Sequence, residues 1–227
     1  MESEESVVCR KLAERDVDAT AEVLARAFAD NPAYAWMHPR ARTRALDLRA
    51  FFHRNLRWHL ALDLTWVATR GAGIVGTATL EPPGGVRRST REEIRHWLIP
   101  TVRHQGLRTF VRTAAAASEF ARHYRGLARG ERYYHLHAVA VAPEAQGQGV
   151  GSLLVATALR ELDRLSARDP APAVVSTQLA RNLVLYERAG FILRGEHQMG
   201  NRWGSRGYRT WFMTRDGGAR LESSSTI

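Results

Sequence analysis

The chain has 227 residues, 44% of them hydrophobic, enough to bury one substantial core, so a single domain is expected. No apolar run reaches the length of a membrane span, the acidic start Met1-Glu-Ser-Glu-Glu is unlike a signal peptide, and one cysteine, Cys9, excludes an internal disulfide framework; together these point to the reducing cytoplasm and to no membrane partner. The net charge of +10 invites a nucleic-acid reading, but the basic residues are arginines apart from Lys11 and are scattered along the chain, so no nucleic-acid partner is expected.

Val7 to Leu12 reads as a short first strand. Asp16 is a candidate N-cap for a helix with apolar positions at Val17, Ala21, Val23, Leu24, Ala27 and Phe28, ending near Asp30-Asn31-Pro32. Ala33 to Pro39 is aromatic and loop-like, and Arg40 to Leu62 reads as a second long helix. Leu64 to Thr69 and Ile74 to Leu80, joined through Gly71-Ala72-Gly73, read as a β-hairpin closed by Pro82-Pro83-Gly84-Gly85. From 86 to about 130 a helical insert is expected, with Arg91 to Trp97 and Leu107 to Tyr124 separated near Pro100 and Gly106. Its Trp97, Phe110, Phe120 and Tyr124 fit a pocket wall and a packed core equally well.

Residues 133 to 154 carry the most information. Tyr133 to Val141 is a strand stopped at Pro143, followed by Gln146-Gly147-Gln148-Gly149-Val150-Gly151 and a helical stripe at Val150, Leu153, Leu154, Ala158, Leu162 and Leu165. Glycines at alternate positions before a helix let backbone N–H groups converge on an anion such as a diphosphate. A tight strand-to-helix turn that merely needs small residues satisfies the same glycines. A P-loop would need a lysine before Ser152, and a dinucleotide fingerprint a different glycine spacing with an acid ending the next strand; both fit poorly. His135 and His137 stand two apart on the strand, hence on one face, as either proton-transfer groups or hydrogen-bonded core histidines. Downstream, Ala173 to Thr177 reads as a strand and Asn182 to Arg188 as a short helix. Phe191 to Gln198 and Tyr208 to Arg215 read as closing strands, and Asp216 to Ile227 as a disordered tail.

Gln146, Gly149 and Gly151 match the Q/R-x-x-G-x-G/A signature of the GCN5-related N-acetyltransferase (GNAT) superfamily. Asn182-Leu-Val-Leu-Tyr186 with Gly190-Phe191 resembles its second motif. The resemblance implies an α/β (α+β) fold, a mixed, mostly antiparallel sheet of six to seven strands flanked by helices. The domain would span 7–215, with the helical insert between the third and fourth strands. It implies acetyl-CoA as cosubstrate, no metal, and direct ternary-complex transfer to a primary amine of a small molecule, by a monomer or homodimer.

Residue by residue, the resemblance gives Val139 and Val141 backbone contacts to the pantetheine arm. It gives Gln146, Gly147, Gln148, Gly149, Val150, Gly151 and Ser152 the phosphates, and Asn182 the CoA arm. Tyr186 becomes the acid that protonates the leaving thiolate. His135 and His137 resemble the proton-relaying pair of arylalkylamine N-acetyltransferases, and Tyr34, Trp36, Met37 and Ser176 become acceptor-pocket candidates. Ala27-Phe-Ala-Asp-Asn-Pro32, Ala180-Arg-Asn-Leu183 and Thr210-Trp-Phe-Met-Thr-Arg215 resemble puromycin N-acetyltransferase-like proteins. Where that subgroup carries a glutamate, this chain has Ser176, so the base is expected to have moved to the histidine strand. Two alternatives remain open: a protein N-terminal or lysine acetyltransferase, and a non-catalytic acyl-CoA-binding regulatory module.

Overall fold

A computed structural model describes residues 5–86, 89–130, 132–201 and 206–216. Its seven strands are β1 (Val8–Lys11), β2 (Thr65–Arg70), β3 (Gly73–Glu81), β4 (Tyr134–Val141), β5 (Ala173–Thr177), β6 (Ile192–Met199) and β7 (Tyr208–Arg215). They form one sheet in the order β1-β2-β3-β4-β5-β7-β6. All neighbours are antiparallel except β4 and β5. The expected mixed, mostly antiparallel sheet is present with seven strands. Residues 217–227 of the expected tail, and 202–205 in the sequence between β6 and β7, lie outside the described residues.

Helix α7 (Val150–Ser166) covers one face. Its Val150, Leu154, Ala158 and Leu162, four residues apart, sink among Ala78, Leu80 and Leu136 of the sheet. Truncating one of these leucines to alanine removes transfer energy and leaves a cavity, about 2–5 kcal/mol in such cores. On the opposite face, α1 (Val17–Phe28) and α3 (Arg44–His59) pack on Val67 and Ala140 through Leu24, Leu48 and Phe52. Beside them, α2 (Pro32–Met37) and the 22-residue α6 (Leu107–Ala128) lie over Val174 of β5 and Phe212 of β7.

Four local expectations need correction. Asp16 does not cap α1: its carboxylate is taken by Arg10 at 2.5 and 2.9 Å and by the Ala13 N–H at 2.9 Å, closing the turn before the helix. Ala33 to Pro39 is largely helical, as α2. Asn31-Pro32 is a start signal, the Asn31 Oδ1 accepting from Ala33 N–H at 3.0 Å with Pro32 in the first turn. The second long helix is shorter than expected, Arg44–His59 instead of 40–62.

Finally, Pro100 does not separate helices. Chain that starts at α4 (Thr90–Glu93), behind a Ser89–Glu92 capping box, runs through a π-helical turn at Ile94–Leu98 directly into α5 (Ile99–Gln105). Pro100 falls in the first turn of α5, where a missing N–H is tolerated. Gly106, at φ 87°, is the break before α6.

Candidate active site

The site forms where the sheet comes apart. Strands β4 and β5 pair only at Tyr134–Ala173 and His135–Val174, and beyond His135 they diverge. On its other side β4 carries a bulge: Thr79 faces His137 and Thr77 faces Ala140, so Ala138 and Val139 share one opposing residue. Ala138 takes the left-handed conformation there, φ 51°, which costs a non-glycine residue about 1–2 kcal/mol. The bulge comes after His137, so His135 and His137 keep one face, shared with Glu81, the direct partner of His135 across the ladder.

Over the split lies a cavity of about 920 Å³. Phe28, Tyr34, Met37 and Phe51 wall it from α1, α2 and α3, and Ala117, Phe120, Ala121 and Tyr124 from α6. Phe120 and Tyr124 of the insert therefore belong to the pocket, whereas Trp97 and Phe110 pack on each other at 4.9 Å, away from it. Trp36 is not a pocket residue. It is buried against Tyr208, ring centroids 5.8 Å apart, with the Arg112 guanidinium 5.0 Å over its ring, because it lies on the α2 face turned toward β7.

The polar centre of the cavity is a hydrogen-bonded chain. His59 Nδ1 lies 2.7 Å from the Asn55 carbonyl, and its Nε2 2.7 Å from Glu81 Oε1. Glu81 Oε2 lies 3.0 Å from His135 Nδ1. A carbonyl and a carboxylate only accept, so both His59 nitrogens carry hydrogen when Glu81 is ionised, and His135 donates from Nδ1. His135 in its neutral form then has its lone pair on Nε2. The His137 ring stacks on His59 at 5.8 Å and lies 5.1 Å from His135. Burial alone would raise the Glu81 carboxyl, but His137, His135 and His59 together outweigh burial and hold it well below the usual carboxylate range. Tyr124 sets its ring, tilted, against His135 at 4.6 Å while its hydroxyl shares a 2.7 Å hydrogen bond with Ser176.

At the other end, Gly147 (φ 76°) and Gly149 (φ 81°) line the cavity just before α7. A Cβ at either would meet nothing within 4 Å, so these glycines leave an open concavity at a helix N-terminus. Gly151 and Ser152 line it too, and Arg181 and Arg188 add two guanidinium groups. Gln146 braces the strand end, donating from Nε2 to the Val141 carbonyl at 3.1 Å. Two expected phosphate contacts turn elsewhere with their side chains. Gln148 bonds the Glu144 carbonyl at 3.0 Å and Arg70 at 2.5 Å, and Val150 is core beneath α7. Asn182 and Tyr186 both line the cavity. The Asn182 amide donates to Thr177 Oγ1 at 3.1 Å, and burial pushes the Tyr186 phenol up, which keeps it protonated.

The acetyltransferase (GNAT) domain model matches residues 61–193, more than half of the chain. The chain is a GNAT acetyltransferase. The fold of this acetyltransferase recurs in solved structures of low identity. Arylalkylamine N-acetyltransferase 2 from Aedes aegypti superposes with a TM-score of 0.60 at 12% identity, over 93% of this chain and 99% of that one. The polyamine N-acetyltransferase of Drosophila melanogaster gives 0.56 at 16%, over 93% and 100%. A ribosomal-protein-alanine N-acetyltransferase from Brucella melitensis gives 0.55 at 19%, over 92% and 99%. At such identities the likeness is one of fold.

Sequence reasoning missed Glu81 and His59, the two groups that organise the histidines. Glu81 offered one faint signal, an acid ending a strand just before Pro82-Pro83; His59 offered none, since its partner is 22 residues away.

Proposed function

We propose that this acetyltransferase moves an acetyl group from acetyl-CoA to the primary amine of a small, largely apolar molecule, by direct attack within a ternary complex in the cytoplasm. The observation that carries the reading is the Glu81–His135–His137 centre at the foot of an aromatic cavity whose other end is the glycine concavity of α7. Acetyl-CoA would supply the activated acyl group and a thiolate leaving group. The concavity at Gly147, Gly149 and Gly151, with Arg181 and Arg188, fits a diphosphate. The backbone of Val139 and Val141, on the stretch of β4 that β5 leaves, fits an extended amide arm.

Amines of this kind are protonated near neutral pH, so the attacking nitrogen must first give up a proton. His135, held with its Nδ1–H on Glu81, presents the Nε2 lone pair to accept it, directly or through water, and Glu81 stabilises the imidazolium that results. The Val139 N–H is the candidate donor to the carbonyl oxygen as negative charge develops there. Tyr186, protonated because buried, gives its phenolic proton to the sulfur as the C–S bond breaks. The aromatic wall of Phe28, Tyr34, Phe51 and Phe120, with α6 lining the same cavity, favours an apolar acceptor body over a polypeptide. Filled acid and base positions argue against a purely regulatory module.

Thiol release from acetyl-CoA, measured against arylalkylamines, polyamines, aminonucleosides, amino acids and short peptides, tests the reading. Turnover with apolar amines and little with peptides is expected. Turnover with peptides alone would overturn the acceptor class, and tight acetyl-CoA binding with no turnover on any amine would favour a regulatory module.

A further inference from the structure

We propose that Glu81, His135 and His137 also form a binding site for a transition-metal ion of the zinc class, and that metal occupancy and acetyl transfer exclude each other. The second half rests on the proton-transfer reading above; the first does not. One ligand atom from each of the three residues lies within 4.8 Å of the others. Two ligands on one tetrahedral zinc ion, each about 2.0–2.1 Å from it, stand ~3.3 Å apart. Glu81 Oε2 and His135 Nδ1 are already 3.0 Å apart, so this pair has the spacing of two ligands of one ion. Bringing in His137 needs closure of about 1.5 Å at most by the same arithmetic, within reach of a side-chain rotation.

The donor set is right as well as the spacing. Two imidazoles and a carboxylate suit zinc, and three protein ligands leave a fourth position for water or another small ligand. All three residues line the cavity, so an ion can enter and its open position faces that space. The support behind the ligands is of the kind metal sites use. The Glu81 oxygen not needed by the ion is held by His59 at 2.7 Å, and His59 is itself fixed on the Asn55 carbonyl at 2.7 Å. Among the described residues this is the one group of three His, Cys, Asp or Glu donors close enough to share an ion.

Coordination rearranges protons without consuming any reagent. The hydrogen on His135 Nδ1 moves to Nε2 through cavity water as Nδ1 takes the ion, and Glu81 Oε2 exchanges that hydrogen bond for a bond to the metal. With Nδ1 on the ion and Nε2 now carrying the hydrogen, His135 has no lone pair left to take the substrate's proton.

The test is a titration of metal-stripped protein with zinc chloride against a chromogenic chelator. It is run on the wild type, on His137→Asn and Glu81→Gln, and on Cys9→Ser, which removes the sole thiol and lies outside the site. One equivalent per chain in the wild type and in Cys9→Ser is expected, with affinity lowered at least tenfold in the other two. Cobalt in the same place should give the intense visible absorption of a four-coordinate ion. Absence of stoichiometric zinc, or equal binding by all four proteins, would overturn the site. If Glu81→Gln does not fold, His137→Asn alone decides. The same zinc series is then read as amine turnover. Inhibition with the binding midpoint supports the exclusion, and turnover indifferent to bound zinc refutes it. Zinc bound as expected in a protein that acetylates no amine would leave the metal site standing and remove the acetyl-transfer reading instead.

Discussion

The two ends of the cavity are built in opposite ways. The α7 end comes mainly from one unbroken stretch, Val139 to Ser152, joined by side chains from 181 to 188, and works mostly through backbone geometry: positive-φ glycines, a helix N-terminus and an unpaired strand edge. The histidine end is assembled from side chains distant in sequence, His59 on α3, Glu81 on β3, Tyr124 on α6, His135 and His137 on β4 and Ser176 on β5. Backbone recognition tolerates side-chain change and demands particular glycines. Side-chain chemistry tolerates change of backbone setting and demands particular donors and acceptors. Substitutions at the two ends should therefore fail differently, one in cosubstrate binding and the other in turnover.

The strongest break is expected at Glu81→Gln. A carboxylate accepts from His59 and His135 at once, but an amide accepts with one end only, so one of the two histidines must give up its N–H toward residue 81 or face an N–H. The base loses its orientation and the stabilisation of its charged form. A fall in kcat of about 10²–10³ is expected, with the KM for acetyl-CoA nearly unchanged. A change below about threefold in steady-state assays would remove Glu81 from the mechanism. Stability carries a second signature. The folded carboxyl is depressed below its unfolded value of about 4.3, so its contribution is complete above that pH and is lost as pH falls through the folded value. Acid unfolding monitored by circular dichroism should thus lose part of its steepness in the variant.

Tyr186→Phe comes next, with a loss in kcat of about 100-fold at little cost in acetyl-CoA KM. Only the hydroxyl is removed; the ring keeps its edge-on contact with Phe191 at 6.1 Å, so the melting temperature should hold. Equal loss in kcat and in cosubstrate affinity would make Tyr186 a binding residue and not the acid.

These two residues mark how far the chain could be read before its structure. The place of Tyr186 on the cavity wall was legible because it sits in a local motif with Asn182 and Gly190-Phe191. Strand β4, the glycine turn and helix α7 were legible because periodicity and glycine placement are local signals. Glu81 and His59 were not, since their meaning arises only when β3 pairs with β4 and α3 packs over the pair. Asn31-Pro32 was read only in part: α1 does end just before it, but it also starts α2. The same two residues stop one helix and start the next, and only the hydrogen bond from Ala33 N–H to the Asn31 side chain tells which role dominates. Trp36 failed because an aromatic residue in a short helix has two faces to choose from, and the choice is made by Tyr208, far along the chain.

Gly149→Ala probes the other end. No atom lies within 4 Å of the added Cβ, so sterics cost nothing, but the φ of 81° does, about 1–2 kcal/mol. Relief of that strain would swing the N–H groups that begin α7 out of convergence. An increase of about tenfold in the acetyl-CoA KM is expected, with kcat largely kept. Isothermal titration with CoA measures it directly. A variant that loses kcat while binding CoA normally would dissolve the distinction between the two ends.

The smallest effect expected is also the most selective. Ala121 lines the cavity from α6, three residues before Tyr124. Leucine is at least as compatible with a helix interior as most residues, so Ala121→Leu should leave the fold intact while filling part of the pocket with an isobutyl group. Bulky amines should then lose several-fold in kcat/KM, small ones should be unaffected or gain slightly from the added apolar contact, and the acetyl-CoA KM should stay put. Comparing the amine panel before and after the substitution separates these cases. A uniform loss across all amines would mean that α6 had shifted the histidine end through Tyr124, whose ring rests on His135 at 4.6 Å. The acceptor wall and the proton-transfer centre would then be one mechanical unit, coupled through α6, and only the α7 end would be independent of it.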